Sequence, residues 1–209
     1  MELEYVLPGD IEKRSFEIIN TELENNGIHL DEENRLVIMR AIHTSADLEY
    51  ARTLKFTEGA VAKAHELIRQ GADIVTDTNM ALSGISKKTL AKYGGEVHCF
   101  MADADVAAEA SEKKVTRAYI SMRKAAEKLN KPVIFAIGNA PTALVSLHDM
   151  MLEGSYKPSF VIGVPVGFVN VVAAKELIVN DDVDSIVNIG RKGGSNVAAA
   201  IVNALLYTI

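Results

Sequence analysis

Apolar and polar positions follow two rhythms along this chain. Up to about residue 70, apolar side chains recur at helical spacing. An extended lead-in over residues 1 to 12 ends at the turn-like Pro8-Gly9-Asp10. A first helix then carries Arg14, Ser15, Phe16, Ile18, Ile19 and Leu23, and Asn25-Asn26-Gly27 stops it by left-handed turn chemistry. The acid-rich Asp31-Glu32-Glu33-Asn34 starts a second helix, in which Leu36, Met39 and Ile42 keep the period and His43 falls in the last turn. A third is expected from about Thr57 to Gln70, with Thr57-Glu58 as its start signal and Gly71 as its stop.

From residue 73 onward, short β-branched runs alternate with helical segments. The runs are Asp73 to Thr76, Glu96 to Phe100, Pro132 to Ile137, Ser159 to Val164 and Ser185 to Ile189. They lack polar alternation, which is the pattern of strands covered on both faces of a parallel sheet. The fold class expected is therefore α/β, a three-layer αβα arrangement around a mostly parallel sheet. No linker rich in Pro, Ser and Gly divides the chain and no repeat of fixed period is evident, so residues 1 to 209 are read as one domain.

The turns that follow these strands would share the carboxyl edge of such a sheet, where ligands bind in open α/β folds. They are Asp77-Thr78-Asn79, Asp103-Ala104-Asp105, Gly138 to Thr142, Pro165-Val166-Gly167 and Gly190 to Ser195. In the last of them, paired glycines let the backbone approach a ligand, Ser195 can cap the closing helix, and Arg191 and Lys192 add positive charge. Asn139 reads as the N-cap of the next helix or the residue just outside it, with Pro141 in the first turn. The spacing of the glycines is neither the Rossmann nor the Walker pattern, which leaves a nucleotide-dependent enzyme as a weak rival.

Composition narrows the classes. Hydrophobic residues make up 48% of the chain with no Trp, which suits an Ala/Val/Ile-rich layered protein and not an aromatic cage. The formal charge is −6 and no basic run occurs, so a nucleic-acid surface is not expected, and any anion must be held by a local basic cluster. The apolar run from Phe160 to Ala174 is interrupted by Gly163, Pro165, Gly167 and Asn170, too short and broken for a membrane span. The start Met1-Glu2-Leu3-Glu4 lacks a signal peptide's charged and apolar regions, and the single Cys99 forms no internal disulfide, so the cytoplasm is the expected compartment. The histidines form no metal-binding pattern and no Gly-x-Ser-x-Gly elbow is present, so neither a protein-built metal site nor a serine hydrolase is expected.

The densest chemistry lies in Arg40-Ala41-Ile42-His43-Thr44-Ser45-Ala46-Asp47, where a guanidinium and an imidazole stand three residues apart. A helix C-terminus favours a cation, and Asp47 would add to that if it folded back, which suits His43 to proton transfer.

Five stretches together resemble one family, the precorrin-8X methylmutases, including the cobalt-precorrin-8 methylmutases of corrin biosynthesis. They are Arg14-Ser15-Phe16, Arg40-x-Ile42-His43, Gly138-Asn139-Ala140-Pro141-Thr142-Ala143-Leu144, Pro165-Val166-Gly167-Phe168-Val169 and Gly190-Arg191-Lys192-Gly193-Gly194-Ser195, in the family's order over nearly the whole chain. The resemblance implies an isomerase that moves a methyl group from C-11 to C-12 of precorrin-8X or cobalt-precorrin-8, giving hydrogenobyrinate or cobyrinate. It implies no redox cofactor and no methyl donor. By similarity His43 is the proton donor and acceptor, Ser15 and Arg40 contact the anionic tetrapyrrole, and Arg117 matches a family arginine suited to a carboxylate. Arg14, Thr44, Asn139, Arg191, Lys192 and Ser195 complete the expected substrate-binding set, and the family implies a homodimer. Two departures stand out: Ala46, where relatives often carry glycine, and Ala173-Ala174 before Lys175, where Glu-Ser is commoner. The rival from another class is a non-catalytic tetrapyrrole carrier. Any cobalt would arrive inside the substrate's ring and not on protein ligands.

Overall fold

The computed structural model describes residues 3–209, so the first two positions of the acidic start lie outside the described residues. Six strands form one sheet: β1 (Leu54–Phe56), β2 (Asp73–Thr76), β3 (Val97–His98), β4 (Val133–Ile137), β5 (Phe160–Gly163) and β6 (Ser185–Asn188), in the order β1-β6-β5-β4-β2-β3. All neighbours run parallel except β1, which pairs antiparallel with β6 at one edge.

Alternation along β4 divides the core into two layers. Ile134 and Ala136 face α1 (Ile11–Asn25), α2 (Arg35–Ser45), α4 (Ala60–Arg69) and α11 (Ser195–Tyr207), whereas Val133, Phe135 and Ile137 face α7 (Ala104–Lys113), α8 (Arg117–Lys128), α9 (Pro141–Leu152) and α10 (Val171–Asn180). The expected αβα sandwich is the observed one. Phe135 and Phe160 are fully buried, and each contributes roughly 2–3 kcal/mol by leaving water. The Ala-rich α11 packs against α2, which the short α3 (Tyr50–Thr53) adjoins, and against α5 (Asn79–Gly84) and the short α6 (Lys87–Leu90), and a methyl group on Gly84 would come within 2.9 Å of the Ala199 Cβ. That close approach sets the floor beneath His43.

Two expectations are corrected. Thr57 does not start the third helix: its backbone N–H donates to the Ser185 carbonyl and its hydroxyl accepts from the Ser185 N–H, each at 3.0 Å, which extends the β1–β6 pairing. The helix begins at Ala60, after Gly59 in a left-handed conformation. The second run shrinks to Val97–His98, because the Glu96 N–H donates to the Asp73 carboxylate at 2.9 Å instead of to a strand carbonyl. Elsewhere, Lys114, with φ 55, ends α7, and Thr116 caps α8 by accepting from the Tyr119 N–H, which puts Arg117 in the helix that follows Glu112-Lys113-Lys114.

In strand order the chain leaves β2 for the outer β3 and then returns to β4 on β2's other side, so the carboxyl ends of β2 and β4 form a topological switch point. The turns Asp77-Thr78 and Gly138-Asn139 meet there.

Candidate active site

His43 is exposed on the last turn of α2, whose buried face is Val37, Ile38, Met39, Ala41 and Ile42. The helix ends at Ala46 with φ 52, its N–H donating to the Ile42 carbonyl. An L side chain is strained in that left-handed turn, where glycine would sit without strain. Ala46→Gly is expected to raise stability by about 0.5–1 kcal/mol in urea denaturation, the relief of strain being offset in part by glycine's greater freedom when unfolded.

Two depressions flank the imidazole. One, of about 410 Å³, is lined by Glu12, Arg40, Thr44, Gly84, Asn196, Asn203 and Tyr207 among others. The other, of about 290 Å³, is lined by Ser15, Ile18, Ile19, Glu22 and Leu48 beside His43. His43 stands on the ridge between them, its ring edge-on to Phe16 with centroids 5.5 Å apart. The Arg40 guanidinium lies 5.2 Å from the Phe16 ring and 5.5 Å from that of Tyr207, and donates to both carboxylate oxygens of Glu12 at 2.7 and 2.8 Å. Arg40 in turn holds the Glu12 carboxyl below its ordinary range, chiefly through those hydrogen bonds. Ser15 donates to the Ile11 carbonyl at 2.9 Å, its hydroxyl at the rim of the smaller depression.

The motif Arg14-Ser15-Phe16 thus reaches His43 through Phe16 and Ser15. Arg14 turns away: it pairs with Glu4 at 2.7 Å and Glu17 at 3.5 Å and lines a separate hollow with Tyr5 and Leu7. Asp47 does not fold back on His43. Its carboxylate, held below its usual range by the Lys192 ammonium, pairs with that lysine, which also reaches Glu49 at 2.7 Å. Lys192 is therefore a strut between the end of α2 and the glycine-rich turn, its pKa raised by both carboxylates.

The glycines of the two rim motifs are explained by loop packing. A methyl group on Gly193 would lie 2.0 Å from the Val164 carbonyl oxygen, and one on Gly138 would lie 2.7 Å from the Ser195 Cα. Asn139 is the residue just outside the α9 cap, which is Ala140, and Pro141 takes the first position. The N-terminus of α9 is already filled. The fully buried Asp77 accepts from the N–H groups of Gly138 at 2.9 Å, Asn139 at 2.8 Å and Ala140 at 2.6 Å. Burial pushes its carboxyl above the ordinary range even so.

The N-terminus of α11 differs. Gly194 is the cap, and Ser195, in the first turn, shares a 2.8 Å hydrogen bond with the Thr78 hydroxyl. The N–H groups of Ser195, Asn196 and Val197 have no protein acceptor among the described residues, and Asn196 lines the Arg40 depression. Arg191 is exposed, its guanidinium 5.5 Å from the ring of Phe168, and the Gly167 N–H donates to its carbonyl at 3.2 Å. Arg117 is exposed at the start of α8, beside a 2.7 Å contact between the Thr116 and Thr142 hydroxyls.

Glu12, Tyr207, Asn196 and Asn203 escaped the sequence reading. Tyr207 and the two asparagines carry no motif, although Asn196 and Asn203 lie seven residues apart on one helix face. Lys175, on α10, also escaped it. Its ammonium is buried and its pKa is pushed down to about 8 by desolvation. Between that value and the ordinary lysine range the unfolded chain binds a proton that the folded chain has released, so this group makes stability rise with pH. Relative to Lys175→Met, the wild type is expected to gain about 2 kcal/mol between about pH 7 and about pH 9.5 in urea titrations.

Against known proteins, the family model described as precorrin-8X methylmutase (CbiC) matches residues 10–208. The cobalt-precorrin-8 methylmutase of Priestia megaterium is 44% identical over 201 residues, covering 96% of this chain and 88% of the relative. The precorrin-8X methylmutase of Pseudomonas aeruginosa is 36% identical over 206 residues, covering 97% of each. A crystal structure of precorrin-8X methylmutase from Thermus thermophilus superposes with a TM-score of 0.84 at 36% identity, covering 95% of this chain and 96% of that one. Family model, relatives and structural neighbour span the same elements that carry His43, Arg40 and the glycine-rich turn, and the chain belongs to the precorrin-8X methylmutase family, intramolecular transferases of cobalamin biosynthesis.

Proposed function

We propose that this chain, acting as one domain, moves the methyl group at C-11 of precorrin-8X or cobalt-precorrin-8 to C-12, giving hydrogenobyrinate or cobyrinate, with His43 as proton donor and acceptor. The supporting observation is the exposed imidazole on the ridge between two depressions, with Ser15 on one side and Arg40 and Thr44 on the other. A proton given by His43 leaves the conjugated ring electron-poor. The C-11 to methyl bond then breaks as the C-12 to methyl bond forms, and loss of a proton back to His43 restores the neutral ring and the starting enzyme.

Arg40, Arg191 and Arg117 are the bases suited to the substrate's carboxylates, with Asn139, Ser195 and the free N–H groups of α11 completing the rim. Lys192 acts on it through the strut to Asp47, and Arg14 at one remove through α1. The reaction as read needs no cofactor. The cytoplasm and a homodimer belong to the same reading; Phe168 and Val169, 81% and 79% exposed beside Arg191, offer apolar surface for a second copy to cover. No helix among the described residues is long and apolar enough to cross a membrane.

The test is the visible spectrum of the purified protein with precorrin-8X, and separately with its cobalt form, over time. The methyl shift changes the conjugated path, so conversion is expected as a change of colour. A spectrum that shifts once on binding and then stays fixed in both cases would favour the carrier.

A further inference from the structure

Lys175 stands out among the Lys and Arg side chains of the described residues because the fold takes it entirely out of water. Its Nζ donates to the carbonyl oxygens of Gly190 and Lys192, each at 2.8 Å. The Asn188 amide donates to the same Lys192 oxygen at 2.8 Å, and the Arg191 oxygen between them accepts from the Gly167 N–H. Lys175 thus ties the Gly190 and Lys192 carbonyls to the interior, and the Arg191 carbonyl is taken up by the Gly167 loop. The Arg191 side chain is exposed on a turn whose three carbonyls already have donors within the fold. No carboxylate is paired with the buried ammonium among the described residues, and desolvation is what lowers its pKa. Burying an ammonium is costly, and an apolar side chain would fill the same space without that cost.

We propose that Lys175 is a positioning residue for substrate binding: it holds the Gly190 and Lys192 carbonyls inward on either side of Arg191, so that Arg191 is presented to a substrate carboxylate with an unpaired positive charge beneath it. This rests on the reading of that turn as a carboxylate site. Lys175 does not touch the substrate; it acts through Arg191.

The experiment compares wild type, Lys175→Met, Lys175→Arg, Arg191→Ala and the Lys175→Met/Arg191→Ala pair, with steady-state kinetics on precorrin-8X and spectral titration with hydrogenobyrinate. Lys175→Met is expected to raise KM and the product Kd by roughly tenfold while kcat stays within about twofold, and Lys175→Arg to recover most of the loss. Added to Arg191→Ala, Lys175→Met should cost little more, because both act through one contact. A lysine with a purely structural role would lower the melting temperature and leave KM in place, and that result overturns the proposal. If Lys175→Met does not fold, Lys175→Gln is read by the same KM ratio. Wild type binding hydrogenobyrinate and Arg191→Ala binding it more weakly, while the lysine variants bind normally, would remove this inference alone. A wild type that binds no hydrogenobyrinate would remove the carboxylate reading of the turn and this inference with it.

Discussion

His43→Ala is expected to bind the corrinoid about as tightly as wild type and to convert it about 10²- to 10⁴-fold more slowly, the range over which a positioned acid and base contributes to a rate. The change is clean because the imidazole carries little of the fold. It is exposed and meets Phe16 edge-on, while Ala41 and Ile42 beside it are fully buried and anchor α2. Substitutions of that kind shift stability by no more than about 0.5 kcal/mol, so the melting curve serves as the control. Single-turnover spectra read the chemical step and a titration with hydrogenobyrinate reads binding. A variant that turns over at the wild-type rate would sink the role given to His43. So would a variant that converts bound substrate normally and fails only by weaker binding, because that would make the imidazole a contact. Arg40 gives the contrast: Phe16, Tyr207 and Glu12 hold its guanidinium, so its removal disturbs the pocket wall as well as the charge.

What the sequence made legible follows from what each element buries. Runs such as Pro132 to Ile137 could be read because a strand covered on both faces shows no alternation. β1 could not: Leu54-Lys55-Phe56 is three residues long, alternates, and lies antiparallel at an edge, with nothing local to separate it from a turn. The glycines of the rim were visible as loop signals. Their reason was not, because Gly193 is required by the carbonyl of Val164, 29 positions earlier in the chain. His43 and Arg40 were found because their spacing on one helix is local information. Glu12 and Tyr207, which complete the surroundings of Arg40, come from opposite ends of the chain. Lys175 was passed over for a physical reason, since lysines are almost never fully buried and a lysine in an amphipathic stretch is ordinarily solvated. Asp77 was placed on the correct rim, but its role depends on three N–H groups more than sixty residues away.

Asp77→Ala is expected to destabilise the protein by about 3–5 kcal/mol, as removal of one side of a buried charged hydrogen-bond cluster does. Its carboxylate occupies the switch point of the sheet and closes the first turn of α9, so its loss leaves the Gly138 N–H buried without an acceptor and frees the Asn139 turn to move. Asp77→Asn separates shape from charge. The amide offers one acceptor oxygen where the carboxylate offers two, which costs stability, but it also escapes the desolvation that pushes the Asp77 carboxyl upward. The balance between those effects depends on pH. With the carboxyl's pKa raised in the folded state, the folded chain takes up a proton before the unfolded chain does. The stability gained is complete below about pH 4, the ordinary aspartate value, and is lost as pH rises through the folded value. Wild type should therefore hold its largest advantage over Asp77→Asn in acid and give it up toward neutrality, whereas Asp77→Ala stays below both. Urea denaturation of the three proteins from about pH 4 to about pH 8 reads the ordering. An advantage of wild type over Asp77→Asn that grows with pH would mean that the three N–H groups outweigh burial and that Asp77 is held as a stabilised carboxylate. In either case the Asp77 carboxyl already fills the N-terminus of α9 within the fold, whereas α11, beside the Arg40 depression, keeps N–H groups to offer a substrate.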